Sequence, residues 1–196
     1  MVLAYHVIFT AYGFWLPNDP RGSWSDFVRS WELLKFGPAT KVSTRRSLAH
    51  DAHDAAFRAA AKRALRYPPV RFDGLQARAI ARGFAKAVER TGCIIYACSI
   101  MPDHVHMVIA RHRYDVEQLV GLLKGDATRR LQAEGLHPMS RYASKAMSLP
   151  TPWVRNCWKV FLDHRAGIDR AIGYVERNPL KEGMRPQRWN LISTRK

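Results

Sequence analysis

Apolar positions fall into short dense runs and longer periodic ones. Residues 2–10 and 93–100, rich in Val, Ile, Phe and Tyr, read as strands. The turn Met101-Pro102-Asp103 returns the chain into 104–109, His-Val-His-Met-Val-Ile, predicting an antiparallel hairpin with 93–100. Side chains alternate along a strand, so His104, His106 and Val108 share one face; Val105, Met107 and Ile109 share the other, taken as the core side. Residues 73–91 carry the clearest helical stripe, Leu75, Ala79, Ile80, Phe84, Ala87 and Val88, ended by Thr91-Gly92. A second helix runs from a cap at Asp115 to about Ala133, with Leu119, Leu122 and Leu123 as its apolar positions. A fourth strand is expected over 154–162, centred on Trp158. A last helix is expected from about Ile168 to Asn178, because Pro179 disfavours a helical backbone at the residue before it. Weaker patterns suggest a short helix around 26–35 and another from Asp51 to about Leu65, ended by Pro68-Pro69.

The order strand, insert, helix, strand, strand, helix, strand, helix matches the split βαβ plan. The expected fold is α+β, ferredoxin-like or RRM-like: a four-stranded antiparallel sheet with helices packed on one face and the histidine pair on a central strand. One domain is expected over 1–196, with an insert at about 13–70 and a basic tail at about 180–196.

Charge changes the picture. The chain has 32 Lys and Arg against 16 Asp and Glu, a net charge of +16. Solubility usually needs a magnitude of only ~2–8, so a polyanion is the expected partner, nucleic acid before an anionic membrane. No apolar run approaches the ~18 residues of a membrane-spanning helix. The N-terminus reads as a strand rather than a signal peptide. Three cysteines, an odd number without zinc-type pairing, fit a reduced cytoplasmic protein. Arg78, Arg82, Lys86 and Arg90 lie four apart on one helix face, and Lys124, Arg129 and Arg130 follow the hairpin; these are the candidate nucleic-acid contacts. Trp15 and Trp24, beside turns, are candidate stacking residues, whereas Trp158 is expected to pack. His112 and His137 are expected to be plain surface residues, and Cys93 and Cys98 small core residues.

Two imidazoles side by side on a strand can hold one divalent metal, although such a pair is common. Tyr174 and Asn178, four apart on the last predicted helix, place a phenol and an amide on one face. Taken together, the segment Met-Pro-Asp-His-Val-His-Met-Val-Ile at 101–109 resembles the HUH motif of the single-tyrosine HUH transposases, the IS200-like family. The segment Tyr-Val-Glu-Arg-Asn-Pro-Leu-Lys-Glu-Gly at 174–183 resembles the tyrosine motif of their REP-associated branch, and Leu-Leu-Lys-Gly at 122–125 resembles the helix after the HUH strand. The resemblance covers roughly residues 93–184. Mobile members commonly carry Gln four residues after the tyrosine; Asn178 followed by Pro179 favours the REP-associated type.

The resemblance implies a metal-dependent single-stranded DNA endonuclease and strand transferase, acting near DNA hairpins through a 5′-phosphotyrosine. His104, His106 and Asn178 would be the metal ligands, for Mg²⁺ or Mn²⁺, and Tyr174 the nucleophile. The protein would act as a monomer or homodimer in the bacterial cytosol, without a membrane partner. Two alternatives stay open: a domesticated, catalytically inactive binder of hairpin or repeat DNA, and a hydrolase in which the histidines activate water. The second has little help, since no carboxylate holds an obvious third-ligand position; Asp103, beside the pair, is expected to point to the opposite face.

Overall fold

The computed structural model describes residues 1–44, 48, 51–143 and 149–193. Residues 194–196 of the expected basic tail, 144–148 of the loop after the second long helix, and 45–47, 49 and 50 of the expected insert lie outside them.

Two compact units are present, one formed by Met1–Ala11 with Arg71–Lys196, the other by Tyr12–Val70. The first contains strands β1 (Ala4–Thr10), β2 (Ile95–Ile100), β3 (His104–Ala110) and β4 (Trp158–Leu162). They form one antiparallel sheet in the order β2-β3-β1-β4, with the histidine pair opening an interior strand. The α+β class and four-stranded antiparallel sheet are as expected.

The layering differs from the expected single helical face. Helix α2 (Gly74–Thr91) and helix α3 (Val116–Ala133) cover one side, where Phe9 meets Phe84 edge-on at 5.9 Å and Trp153 at 5.6 Å. Helix α4 (Arg165–Lys181) covers the other, packing Ile168, Ala171 and Val175 on Ala4, Ala97, Val108 and Leu162. Interior strands with apolar residues on both faces need two covers. Val108 shares the histidine face, so that face too must be shielded from water.

Local chemistry explains the long helices. Asp73 caps α2 reciprocally: its carboxylate accepts from Gln76 N at 2.8 Å, and its own N–H donates to Gln76 Oε1 at 3.0 Å. Gly92, at φ 71°, ends the helix in the left-handed region. Gly83 lets α2 and α3 approach closely, since a Cβ there would sit 2.5 Å from Ala127 Cα.

Helix α4 begins earlier than expected and continues through Pro179. Proline removes a donor and disfavours the helical backbone before it. Here only two helical residues follow it, the side chains of Asn178 and Pro179 are buried, and Met184 N donates to Pro179 O at 2.8 Å to close the end. Burial outweighs the local preference.

Strand β2 lies at the sheet edge. Gln187 accepts from Ile100 N at 2.7 Å through Oε1 and donates to Ile100 O at 2.8 Å through Nε2. Farther along, Ser193 N donates to Ile95 O at 2.9 Å.

The Tyr12–Val70 unit has its own small core. Leu16, Leu33 and Ala61 are buried, with Val28, Phe36 and Leu65 against them. It contains a 3₁₀ helix, Trp31–Phe36, and helix α1, Ala55–Arg63, capped by Asp54 rather than Asp51 because Asp54 Oδ1 accepts from Phe57 N at 2.8 Å. Asp19 is fully buried and bonded to Arg21 at 2.8 Å and Arg58 at 3.1 Å. Burial alone would raise its carboxyl pKa; the two guanidinium partners outweigh that and hold it low. Trp15 donates to Gly22 O at 2.8 Å and carries the Arg21 guanidinium 3.9 Å from its ring centroid, so it is committed to structure, not the free stacking surface expected. Trp24 is exposed.

Candidate functional site

The site is built from β1, β3 and α4. Ile8 of β1 stands opposite His106 of β3, so His6 lies one step along on the same face, within diagonal reach. The His6 and His106 rings stack, with centroids 5.3 Å apart at 29°, and His6 Nε2 is 3.1 Å from His106 Nδ1. The His104 ring lies 4.9 Å from that of His106, edge-on. Tyr174 approaches from α4, its ring 5.5 Å from His106 and 5.6 Å from His6. The helix expected to face the histidines does so, and the two distant motifs meet within one chain.

The burial pattern of α4 explains how. Ile168, Ala171, Val175 and Asn178 recur at helical spacing and face the sheet. Tyr174 sits beside that stripe, 38% exposed: anchored against the imidazoles yet open to solvent. Asn178 is buried, and its Nδ2 has no hydrogen-bond partner among the described residues.

Electrostatics divides the roles. Burial, aided by the neighbouring His104 and His6, pushes the His106 pKa down to about 2, and burial lowers that of His6 to about 4. Both rings are neutral at neutral pH, as a ligand's ring must be. Burial raises the pKa of the Tyr174 phenol, and the Glu182 carboxylate adds to this. The Lys181 ammonium, 4.7 Å from the Tyr174 ring centroid, supplies positive charge beside it.

A stability prediction follows from the two buried rings. Their folded pKa values lie below the ordinary 6.5, so the unfolded chain takes up protons first as pH falls. Their contribution is complete above 6.5 and shrinks as pH drops towards the folded values. At about pH 4.5 the metal-free protein should have lost on the order of 2 kcal/mol per ring. Urea melts at the two pH values check this; an unchanged midpoint refutes it.

Asp103 is better placed than expected. Its Oδ1 accepts from His104 Nδ1 at 2.8 Å, and its Oδ2 pairs with Arg71 at 3.1 Å. With Nδ1 donating, the unprotonated nitrogen of His104 is Nε2, the arrangement in which carboxylates orient metal-binding imidazoles. No three His, Cys, Asp or Glu side chains are grouped for a metal among the described residues. The His104 and His106 imidazoles lie on this face, and Asn178 lies on the buried stripe of α4 that packs on the same side of the sheet. Imidazole nitrogen by itself suits Zn²⁺, Fe²⁺ or Ni²⁺; the amide oxygen is the donor of this set that suits Mn²⁺ or Mg²⁺.

The expected DNA-binding cations scatter. Arg78, Arg82 and Lys86 are exposed on α2, across the sheet from Tyr174. Arg82 and Arg130 both pair with Glu134, the latter at 2.7 Å; Lys86 pairs with Glu89 at 2.9 Å, and Arg129 with Asp126. Lys124 is turned inward, donating to the carbonyls of Val154, at 2.9 Å, and Asn156, and burial lowers its pKa to about 8. His137 is buried, not a surface residue, with Nδ1 accepting from Met139 N at 3.2 Å.

His6 was missed by sequence reasoning. The signal was present: a lone polar residue in the apolar run Ala4–Phe9, in phase with Ala4 and Ile8. Cys93, Cys98 and Cys157 are free. Among the described residues no helix is long and apolar enough to cross a membrane.

Comparison with known proteins bears on this site. Among curated proteins there is no match. The solved structure of a REP-associated tyrosine transposase bound to a REP hairpin aligns over 92% of this chain and 68% of its own, at 12% identity and a TM-score of 0.47. The family model of IS200-like transposases matches residues 69–148, a segment that includes His104 and His106 and stops before α4. The likeness to the IS200-like transposase family is thus confined to residues 69–148, less than half of the chain.

Proposed function

We propose that this protein is a divalent-metal-dependent endonuclease and strand transferase for single-stranded DNA bearing a hairpin, with Tyr174 as nucleophile. The observation that carries the reading is the docking of α4 on the histidine face, which sets the Tyr174 ring 5.5 Å from that of His106. The IS200-like match over the histidine strand supports the same chemistry.

His104, His106 and Asn178 would hold Mg²⁺ or Mn²⁺. When bound, the ion would withdraw charge from a phosphate oxygen and orient the scissile group for in-line attack. The Tyr174 phenol loses its proton as its oxygen bonds to phosphorus. The bond from phosphorus to the 3′ oxygen breaks, and that oxygen takes up a proton. The products are a 5′-phosphotyrosine and a free 3′-hydroxyl. The covalent link retains an activated phosphoryl group, so the 3′-hydroxyl of another strand can reverse the step and rejoin the DNA. The raised phenol pKa opposes ionisation at neutral pH, and the Lys181 charge beside the ring would oppose that effect by favouring a phenolate. Histidines and tyrosine meet within one chain, which supports cleavage in cis.

DNA would also be held by exposed cations. Arg78 is one; Arg82, Lys86, Arg129 and Arg130 would exchange carboxylate partners for phosphates, while Lys124 would brace the 154–156 segment rather than touch DNA.

The test is incubation with a 5′- or 3′-labelled hairpin oligonucleotide and Mn²⁺. A denaturation-resistant protein adduct that forms with metal and not with chelator is expected. Cleavage that leaves a free 5′-phosphate without an adduct would reject the tyrosine mechanism, and hairpin binding without any cleavage would favour an inactive binder.

A further inference from the structure

We propose that His6 is a positioning residue: it accepts a hydrogen bond from His106 Nδ1–H and so leaves the His106 Nε2 lone pair for the metal. This rests on the proposed metal role of His106.

The argument is a tautomer count. A neutral imidazole carries one N–H, and the nitrogen opposite it is an acceptor. His6 Nε2 and His106 Nδ1 are 3.1 Å apart, so exactly one of the two carries the shared hydrogen. If His6 donates, His106 must carry its hydrogen on Nε2 and has no lone pair to offer outward. If His106 donates, its Nε2 is bare. Only the second direction is compatible with a ligand. The two histidines of β3 are then oriented by different devices: His104 through the Asp103 carboxylate at 2.8 Å, His106 through the imidazole of His6. No charge is added by the second device, which suits a ring that is only 4% exposed.

The surroundings hold His6 in place. It stacks on His106 at 29°, meets Trp158 at 6.3 Å and 76°, and lies 5.6 Å from Tyr174. Its ring therefore touches the ligand strand, the edge strand and the nucleophile helix at once. A ring of this size that cannot accept would keep the packing and lose the orientation.

Two measurements test this. The first uses ring ¹⁵N chemical shifts of histidine-labelled, metal-free protein at neutral pH. Wild-type His106 should be the Nδ1–H tautomer, and His6→Phe should release it towards Nε2–H. A wild-type His106 protonated on Nε2 overturns the proposal, whether or not metal binds. The second is calorimetric titration with Mn²⁺ alone. His6→Phe should bind about 10–100-fold more weakly than wild type, the usual effect of losing such a partner. His6→Gln, whose amide oxygen can accept, should recover most of that loss. Equal affinity in wild type and His6→Phe refutes the positioning role. Wild-type protein that binds no Mn²⁺ while His106 shows the Nδ1–H tautomer refutes the metal site instead and leaves the tautomer assignment standing.

Discussion

Tyr174→Phe is expected to abolish adduct formation and strand transfer while leaving the fold intact. Losing a covalent nucleophile removes the step itself, so a fall of at least about a thousandfold is expected. Stability should hardly change. The phenyl ring keeps the aromatic contacts at 5.5 and 5.6 Å and the Lys181 contact, and the site is 38% exposed, so the lost hydroxyl was not a buried anchor. Hairpin binding should persist with its salt dependence unchanged, because no cation is removed. Gel retardation and adduct assays on the same preparation separate these effects. An adduct that survives in Tyr174→Phe would place the nucleophile elsewhere.

Gly83→Ala should give the largest loss of stability from a single added methyl. Alanine in a helix interior normally gains about 1 kcal/mol over glycine. At Gly83 the new Cβ would sit 2.5 Å from Ala127 Cα, 2.7 Å from Ala127 N and 2.8 Å from Asp126 O. Those are backbone atoms of α3, so no side chain can swing away. The helices must separate, which loosens Ile80, Phe84, Leu119 and Leu123 against the sheet. Overpacking of this kind costs roughly 1–3 kcal/mol, and the clash wins over propensity. A net loss of about 1 kcal/mol, some 2–4 °C in Tm for a chain of this size, is expected. Gly121→Ala is the internal contrast: a Cβ there would meet nothing within 4 Å beyond its own stretch of helix, so the same change should be neutral or stabilising by up to ~1 kcal/mol. Urea midpoints for the two variants decide the matter; similar signs would show that α2 and α3 are not locked backbone to backbone.

The fold was legible where local chemistry and burial agree. Gly92 marks the end of α2 in the sequence because capping depends on residues within one turn, and the alternation around His104 and His106 marks β3 because the period of a strand is local. Legibility failed where a distant partner decides. Pro179 stays inside α4 because buried contacts outweigh its backbone preference. The helical cover on both sheet faces follows from Val108, an apolar residue on the histidine face whose demand for cover cannot be read from one strand alone. Tyr174 and Asn178 could be paired by their spacing, but the approach of Tyr174 to His106 could be inferred only from resemblance. His6 and Asp103 needed the register between β1 and β3 and the carboxylate's actual direction. Lys124 resembles a phosphate contact in sequence, yet its ammonium is bound to two backbone carbonyls.

Gln187 has a consequence beyond holding the C-terminal segment. By answering both the N–H and the C=O of Ile100, one side chain does what a neighbouring strand would do. An unpaired edge recruits other chains into intermolecular sheets. A strongly basic protein already repels its copies, but a bound polyanion would remove that protection. A plug on the β2 edge that does not depend on charge would still block strand addition once the basic surface is neutralised. Removing residues from 187 onward should therefore produce DNA-induced aggregation even if the hairpin is still bound.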